Sequence, residues 1–330
     1  MRVLALEYIT GGGLIDQDLP PGLAREGDLM LGTLLRELAA LPSVTAISTR
    51  DPRLAPPEAG AAFLAASAGE DIWDLWARAA DEADAVWPIA PETGGVLERM
   101  SRLATARGKT LLGSAPEAVA IAGSKRATCD LLARHRVAAV ETRTRESGLP
   151  ASRSGWVAKP DDGAGAEDSW IFEDATALTD WLARKERGNS VVQPFLAGEA
   201  ASISALFRDG QAWVLACNRQ DVACENGKFR YRGFSVAGRE DARPAFTDIA
   251  GKVARALPGL FGYAGIDLVM TGDGPIVLEI NPRLTTSYAG LGAALGCNVA
   301  GLVLDLAAGR EIPQLRPKQT VRVDVEGADG

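Results

Sequence analysis

Gly262-Tyr-Ala-Gly-Ile-Asp-Leu-Val-Met-Thr-Gly-Asp-Gly-Pro-Ile-Val-Leu-Glu-Ile-Asn-Pro-Arg-Leu-Thr-Thr286 reads as two strands joined by a glycine-bearing turn. Three-residue hairpin loops with glycine are common. With Gly272, Asp273 and Gly274 as the loop, Thr271 pairs with Pro275, and counting back sets Asp267 opposite Glu279. Side chains alternate along a strand, so Asn281 shares the face of Glu279. Asp267, Glu279 and Asn281 then form an all-oxygen cluster, while Ile266, Leu268, Leu278 and Ile280 point into a core. Two carboxylates and an amide suit a hard divalent cation such as Mg²⁺, which also keeps phosphate oxygens as ligands. The pattern equally fits a plain hairpin with its acids in water, and the hairpin alone leaves both readings open.

The chain has 330 residues, 47% of them hydrophobic, enough for a substantial core and two or three domains. A net charge of −8 without a basic block argues against a nucleic-acid partner. Cys129, Cys217, Cys224 and Cys297 follow no metal or disulfide spacing, as expected in a reducing cytoplasm. Met1 to Ile9 is too short for a signal peptide, and no apolar run is long enough to span a bilayer. The single histidine, His135, lies between Arg134 and Arg136 and reads as a surface residue. This disfavours a histidine general base or a histidine-rich metal site.

Residues 2–9 read as a buried strand running into Thr10-Gly11-Gly12-Gly13. These glycines lack the spacing of a dinucleotide fingerprint. Close approach to a ligand and a plain turn both fit them. Leu31, Leu34, Leu35 and Leu38 recur at helical spacing, as do Ile72, Leu75, Trp76, Ala79, Ala80 and Ala83. Residues 44–48, 85–90 and 110–113 read as further strands, and 51–60 as a loop. Strands alternating with helices predict a parallel α/β unit, with ligands at the carboxyl ends of its strands. The glycine run and Pro91-Glu92-Thr93-Gly94 lie at two such ends. Glu92 is a candidate for holding a substrate amine, or else an acid favoured by the dipole of the next helix.

Beyond residue 113 the pattern changes to α+β. Residues 114–138 look helical, with Ser114 and Ser124 as caps and Lys125 just inside the second start. Alone, a lysine there reads as solvent-exposed. Residues 141–155 read as a loop, 156–160 as a strand carrying Lys159, and 170–172 as its neighbour. Between them, Asp161-Asp-Gly-Ala-Gly-Ala-Glu-Asp-Ser169 can lay backbone N–H groups over phosphates. A helix is expected over 175–187, and strands over 201–207 and 212–220, where Asn218 and Gln220 share a face. Residues 225–238 read as a mobile loop. Phe246, Ile249, Val253 and Leu257 mark a helix, a small-residue helix ends near Gly296, and 320–323 is a possible strand.

Five motifs occur in one order: Lys125; Val157-Ala-Lys-Pro160 with its glycine loop; Val191-Val-Gln-Pro-Phe-Leu-Ala-Gly-Glu199; Gly265-Ile-Asp267; and Leu278-Glu-Ile-Asn-Pro-Arg283. Their order and spacing resemble the ATP-grasp superfamily over roughly residues 90–310. The resemblance implies an ATP-grasp fold in three parts. These are an N-terminal Rossmann-like pre-ATP-grasp domain (1–113), a helical linker with the lid sub-domain (114–196) and a C-terminal ATP-binding sub-domain (197–330). It implies Lys125 and Lys159 on ATP phosphates, Gly163 and Gly165 in the covering loop, Gln193, Phe195 and Leu196 beside adenine, and Glu199 toward the ribose. Asp267, Glu279 and Asn281 would hold Mg²⁺, or Mn²⁺. Arg283 would face the γ-phosphate or an acyl phosphate, which makes it and Lys159 the catalytic pair. Two positions depart from the family pattern: Ser124, where an acid often precedes the first lysine, and Gln193, where the hinge often holds an acid. The implied activity is ADP-forming carbon–nitrogen ligation through an acyl phosphate. Such chemistry needs cations placed on phosphates more than a covalent nucleophile.

Leu6-Glu-Tyr-Ile-Thr-Gly-Gly-Gly13, Ile89-Ala-Pro-Glu-Thr93 and Asn218-Arg-Gln220 further resemble the branch that joins L-glutamate to tyramine for methanofuran-type C1 carriers. That resemblance implies γ-glutamyltyramine as product. It puts Glu7, Tyr8, Glu92, Asn218 and Thr286 near the substrates, with Arg283 helping to hold the glutamate. The expected partners are an amino acid and an amine, in a cytoplasmic homodimer without nucleic acid or membrane. Another amino-acid or peptide ligase of the superfamily and a non-catalytic ATP-binding sensor stay open as alternatives.

Overall fold

A computed structural model describes residues 1–163, 168–184, 187, 189–225 and 227–324. Strands β1 (Arg2–Glu7), β2 (Thr45–Arg50), β3 (Ala62–Ala65), β4 (Ala85–Ile89) and β5 (Thr110–Leu111) form a parallel sheet in the order β3-β2-β1-β4-β5. A parallel sheet is covered on both faces, which is why its strands are apolar throughout. Val3 and Ala5 of β1 pack with Leu31, Leu34, Leu35 and Leu38 of α1 (Pro21–Ala39). Leu4 and Leu6 point the other way, to Trp76, Ala79 and Ala80 of α2 (Ile72–Asp81) and Met100 of α3 (Val96–Ala106). Each such leucine contributes about 1.5–3 kcal/mol through burial. The short β3 lies in a stretch that the sequence pattern does not mark as a strand.

Two helices follow, α4 (Pro116–Ala122) and α5 (Lys125–Arg134). Ser124 caps α5, its Oγ accepting from Ala127 N at 3.0 Å. Ser114 does not cap α4; Ala115 takes that position and Ser114 Oγ accepts from Phe261 N instead.

The second sheet contains β6 (Arg143–Thr144), β7 (Trp156–Pro160), β8 (Trp170–Phe172), β9 (Ser190–Pro194), β10 (Glu199–Arg208), β11 (Gln211–Glu225), β12 (Lys228–Val236), β13 (Gly262–Thr271), β14 (Gly274–Asn281) and β15 (Val321–Asp324). Its order is β14-β13-β10-β11-β12-β8-β7-β9-β6, with β15 on β12. Among the described residues, β12 and β8 are in register at a single pair, Lys228–Trp170. The sheet is thus two parts with separate cores. One packs Ala158 and Val192 against Leu178, Trp181 and Leu182, the last three on α6 (Ala175–Leu182). The other packs Ile203, Cys217, Ile266 and Ile280 against Phe246, Ile249 and Val253 of α7 (Arg243–Ala256). Helices α8 (Tyr288–Leu295) and α9 (Val299–Ala307) carry the chain back onto α1. Among the described residues no single helix is long and apolar enough to cross a membrane.

Three further expectations change. Residues 225–238 are not a mobile loop: most of them form β12, antiparallel to β11. The alternation of Phe229 and Tyr231 with Arg230 and Arg232 is strand spacing, masked by the surrounding charge. The 141–155 stretch includes β6, which pairs with β9. The helix expected over 175–187 is α6, ending at Leu182.

Candidate active site

The focal hairpin reaches its expected pairing by an unexpected route. Thr271 pairs with Gly274, not Pro275, because Gly274 adopts φ +114, a conformation open to glycine. A bulge between Asp267 and Leu268 then restores the register, so Asp267 does face Glu279. The bulge also puts Val277 rather than Leu278 in the core, at 0% exposure. Ile266, Leu268 and Ile280 are buried as expected.

Amides and cations surround the two carboxylates unequally. Asp267 accepts from Gln220 Nε2 (2.9 Å) and Asn281 Nδ2 (3.0 Å), both neutral. Glu279 Oε2 lies 3.6 Å from Lys125 Nζ and 3.7 Å from Lys159 Nζ. Burial, then repulsion from Glu279, pushes the Asp267 carboxyl up to about 7. Burial also acts against Glu279, but Lys125, Lys159 and Arg283 outweigh it and hold its carboxyl below the usual range. Burial in turn lowers the Lys159 ammonium, which Glu279 opposes. Of the two carboxyls, Asp267 is therefore the one that holds its proton to the higher pH.

Lys125 is buried, contrary to its isolated reading, because α5 begins beneath the loop that follows β7. Its Nζ donates to Gly163 O and, at 3.3 Å, to Asp161 O. Asp161 closes over the start of α5: Oδ2 accepts from Ser124 Oγ at 2.6 Å and Oδ1 from Arg126 N at 2.9 Å. Arg283, just beyond β14, donates Nε and Nη2 to Glu92 at 3.0 and 3.1 Å. This ion pair joins the end of β4 to the end of β14, with side chains only 7% and 12% exposed.

The donor set fits a divalent cation with phosphate. Asp267, Glu279 and the Asn281 oxygen are hard ligands, and two lysines border them where anionic oxygens would lie. Among the described residues no three His, Cys, Asp or Glu side chains gather as a metal group. The protein thus offers two carboxylates and an amide, in keeping with an ion that takes much of its shell from phosphate and water.

A family model described as an ATP-grasp domain matches residues 122–287, and one described as a pre ATP-grasp domain matches residues 44–119. The chain belongs to the ATP-grasp family. Tyramine–L-glutamate ligase of Methanocaldococcus fervens is 26% identical over 88% of this chain and 89% of its own length. The enzyme of that name from Methanocaldococcus jannaschii is 24% identical over 88% and 84%. Among solved structures, an Archaeoglobus fulgidus protein assigned to the ATP-grasp superfamily superposes with TM-score 0.72, at 24% identity, covering 96% of this chain and 90% of that one. An L-amino acid ligase from Bacillus licheniformis gives TM-score 0.73 at 16% identity, covering 97% of this chain and 78% of that one.

Within this ATP-grasp chain, Lys125, Lys159, Asp267, Glu279, Asn281, Arg283 and Glu92 come together, and Gly163 lies against Lys125. Gly165 lies outside the described residues. Where the family often has an acid in place of Ser124, Asp161 brings a carboxylate onto Ser124 itself. Gln193 is buried and donates Nε2 to Thr142 Oγ1 at 2.9 Å. The Phe195 N–H is engaged by Gly155 O, and Leu196 is half-buried. Glu199 lies three residues before Ser202, the strand partner of Asp267, so alternation puts it on the opposite face. There Arg239 holds it at 2.9 Å.

The residues expected near the substrates divide in the same way. Glu7 is buried under the turn after β1, accepting from Thr10 N (2.5 Å) and Thr10 Oγ1 (2.7 Å). Tyr8 packs edge-on to Trp76 with ring centroids 5.8 Å apart. Asn218 is fully enclosed, donating to Ser202 and Ser204 and accepting from Ala237 N. Thr286 is half-buried and hydrogen-bonds the Tyr231 hydroxyl, whose pKa is raised by burial and then by Asp267. Gln220 and Asp161 are the residues that sequence reasoning did not place in the site. The strand face shared with Asn218 was the available signal for Gln220, and the place of Asp161 at the root of the glycine loop was the one for Asp161, though nothing local shows its side chain turning to Ser124.

Proposed function

We propose that this protein is an ATP-dependent carbon–nitrogen ligase that activates a carboxylate and joins it to an amine. The observation that carries this reading is the convergence of Lys125 and Lys159 on Glu279, opposite Asp267. A phosphoryl-transfer site needs this arrangement of hard oxygen ligands with cations beside them. ATP with Mg²⁺, or Mn²⁺, supplies the phosphoryl group that makes a carboxylate reactive toward an amine. Asp267, Glu279 and Asn281 hold the metal in this reading, and Lys125 and Lys159 neutralise phosphate oxygens. Arg283 orients the carboxylate that attacks the γ-phosphate, with ADP leaving, and then the acyl phosphate so formed. Glu92, freed once Arg283 turns to its anion, receives the incoming ammonium and takes its proton, so that the neutral amine attacks the acyl carbon and phosphate leaves.

The proposed substrates are the L-glutamate γ-carboxyl and tyramine, giving γ-glutamyltyramine in methanofuran-type biosynthesis. The two Methanocaldococcus relatives, similar along most of the chain, support this choice. The acidic Glu92 at the crevice suits a cationic amine. The proposed division is 1–113 for substrate binding, 114–196 for the linker and lid, and 197–330 for the metal site. It is supported by the two sheets and by the narrow junction between the parts of the second, where Lys228 pairs with Trp170.

The test is ADP release by purified protein with ATP, Mg²⁺ and L-glutamate, with and without tyramine, together with mass spectrometry of the products. ADP and γ-glutamyltyramine appearing together support the whole reading. ADP formed only with another acid and amine retains the ligase and moves its substrates. ATP binding without turnover across a broad panel of acids and amines overturns the enzyme.

A further inference from the structure

The loop after β7 touches more than Lys125. Asp162 O accepts from Thr93 Oγ1 at 3.0 Å, and Asp162 Oδ2 accepts from Gly94 N at 3.0 Å. The other carboxylate oxygen, Oδ1, accepts from Asn189 Nδ2 at 2.8 Å, which fixes the side chain. Thr93 and Gly94 directly follow Glu92, the partner of Arg283. A continuous set of contacts thus runs from Lys125 through Gly163 and Asp161 to Asp162, then through Thr93 and Gly94 to Glu92 and Arg283.

The Glu92 arm has little else to hold its shape. Thr93, Gly94 and Gly95 are exposed. Gly94 and Gly95 have φ of +64 and +70, and a Cβ added at either would meet nothing within 4 Å. Hydrogen bonds rather than side-chain packing set this turn: Gly95 N donates to Glu92 O at 2.9 Å, and Asp162 accepts one bond each from Thr93 and Gly94.

We propose that Asp162 is a positioning residue that couples the phosphate side of the site to the Glu92–Arg283 side. The coupling rests on the nucleotide part of the functional reading, not on the identity of the acid or amine. When phosphate oxygens take Lys125 from Gly163 O and Asp161 O, the root of the loop shifts. Asp162 carries that shift to Gly94, and so to the carboxylate that faces Arg283. Nucleotide binding thereby readies the place where the second substrate lands.

The test is amide hydrogen exchange across residues 92–96, with and without a non-hydrolysable ATP analogue and Mg²⁺, and with no acid or amine present. In the wild type the analogue changes exchange of this segment by about threefold or more. Asp162→Ala, which loses the Gly94 bond but keeps the main-chain bond from Thr93, cuts that response by at least about half while still binding the analogue, and Asp162→Asn, which keeps an oxygen for Gly94 N, retains it. A response of the same size in Asp162→Ala, or none in a wild type that binds the analogue, overturns the proposal. Should Asp162→Ala fail to fold, Thr93→Val removes only the Thr93 hydroxyl bond and must weaken the response; an undiminished response overturns it equally. A wild-type response without glutamate–tyramine turnover would remove those substrates and leave the coupling standing.

Discussion

Glu92 and Arg283, 191 positions apart in the chain, meet in a two-point ion pair that closes the crevice between the parallel sheet and the metal-type hairpin. Burial alone would lower the Arg283 guanidinium, but Glu92, then Glu279 and Asp267, hold its pKa up. Removing one partner of an enclosed pair leaves a charge without compensation. Glu92→Ala should therefore lower unfolding free energy in urea by about 3 kcal/mol, and Glu92→Gln by less. Equal stability of Glu92→Ala and wild type would mean that water already screens the pair.

Asp267 should govern the pH response of the metal-free protein. Its carboxyl rises from 3.8 to about 7 on folding, so the folded state keeps a proton that the unfolded chain releases. Stability should fall as pH climbs through that window and level off above it. Asp267→Asn should flatten the fall in melting temperature and raise it at pH above about 7, while abolishing Mg²⁺-dependent turnover. Divalent-ion affinity of the wild type should rise with pH through the same region, because binding displaces the proton. Calorimetric Mg²⁺ titrations at several pH values would settle this, and a flat profile would sink it.

Lys125→Met and Lys159→Met should each weaken binding of an ATP analogue with Mg²⁺ by about 10–100-fold, the worth of one charge-assisted hydrogen bond. Isothermal titration measures it directly. Unchanged affinity in either variant would take that lysine off the phosphates.

Away from the crevice, Glu37 of α1 accepts from Tyr288 Oη at 2.5 Å and from Ala300 N at 2.9 Å, pinning α8 and α9 to the first sheet unit. Tyr288→Phe leaves the half-buried Glu37 carboxylate short of a donor and should cost about 1 kcal/mol of stability. ADP release under conditions where the variant is fully folded should match the wild type. A loss of turnover in the folded variant would give this joint a part in the reaction.

Much of this was legible along the chain. Apolar runs marked β1 and β4, alternation marked β13, and helical spacing marked the buried leucines of α1, because each reports which faces meet a core. The five ordered motifs pointed to the family before any contact was known. In the 225–238 segment the arginines mask the two-residue alternation of a strand. The pairing at Thr271 differs by one residue because Gly274 joins the strand at a positive φ, and the bulge that restores the register at Asp267 leaves no local signature.

The sequence by itself determined the two kinds of sheet, the family and the acid pair of the hairpin, since periodicity and motif order are local properties. Only the tertiary structure decided that Lys125 is buried against Glu279, that Asp161 covers Ser124, and that Arg283 reaches Glu92. It also decided that Asn218 and Glu7 spend their polar groups inside the fold. Those outcomes depend on which distant backbone arrives beside each side chain. An enclosed polar group takes whatever partner the packing brings within hydrogen-bond reach.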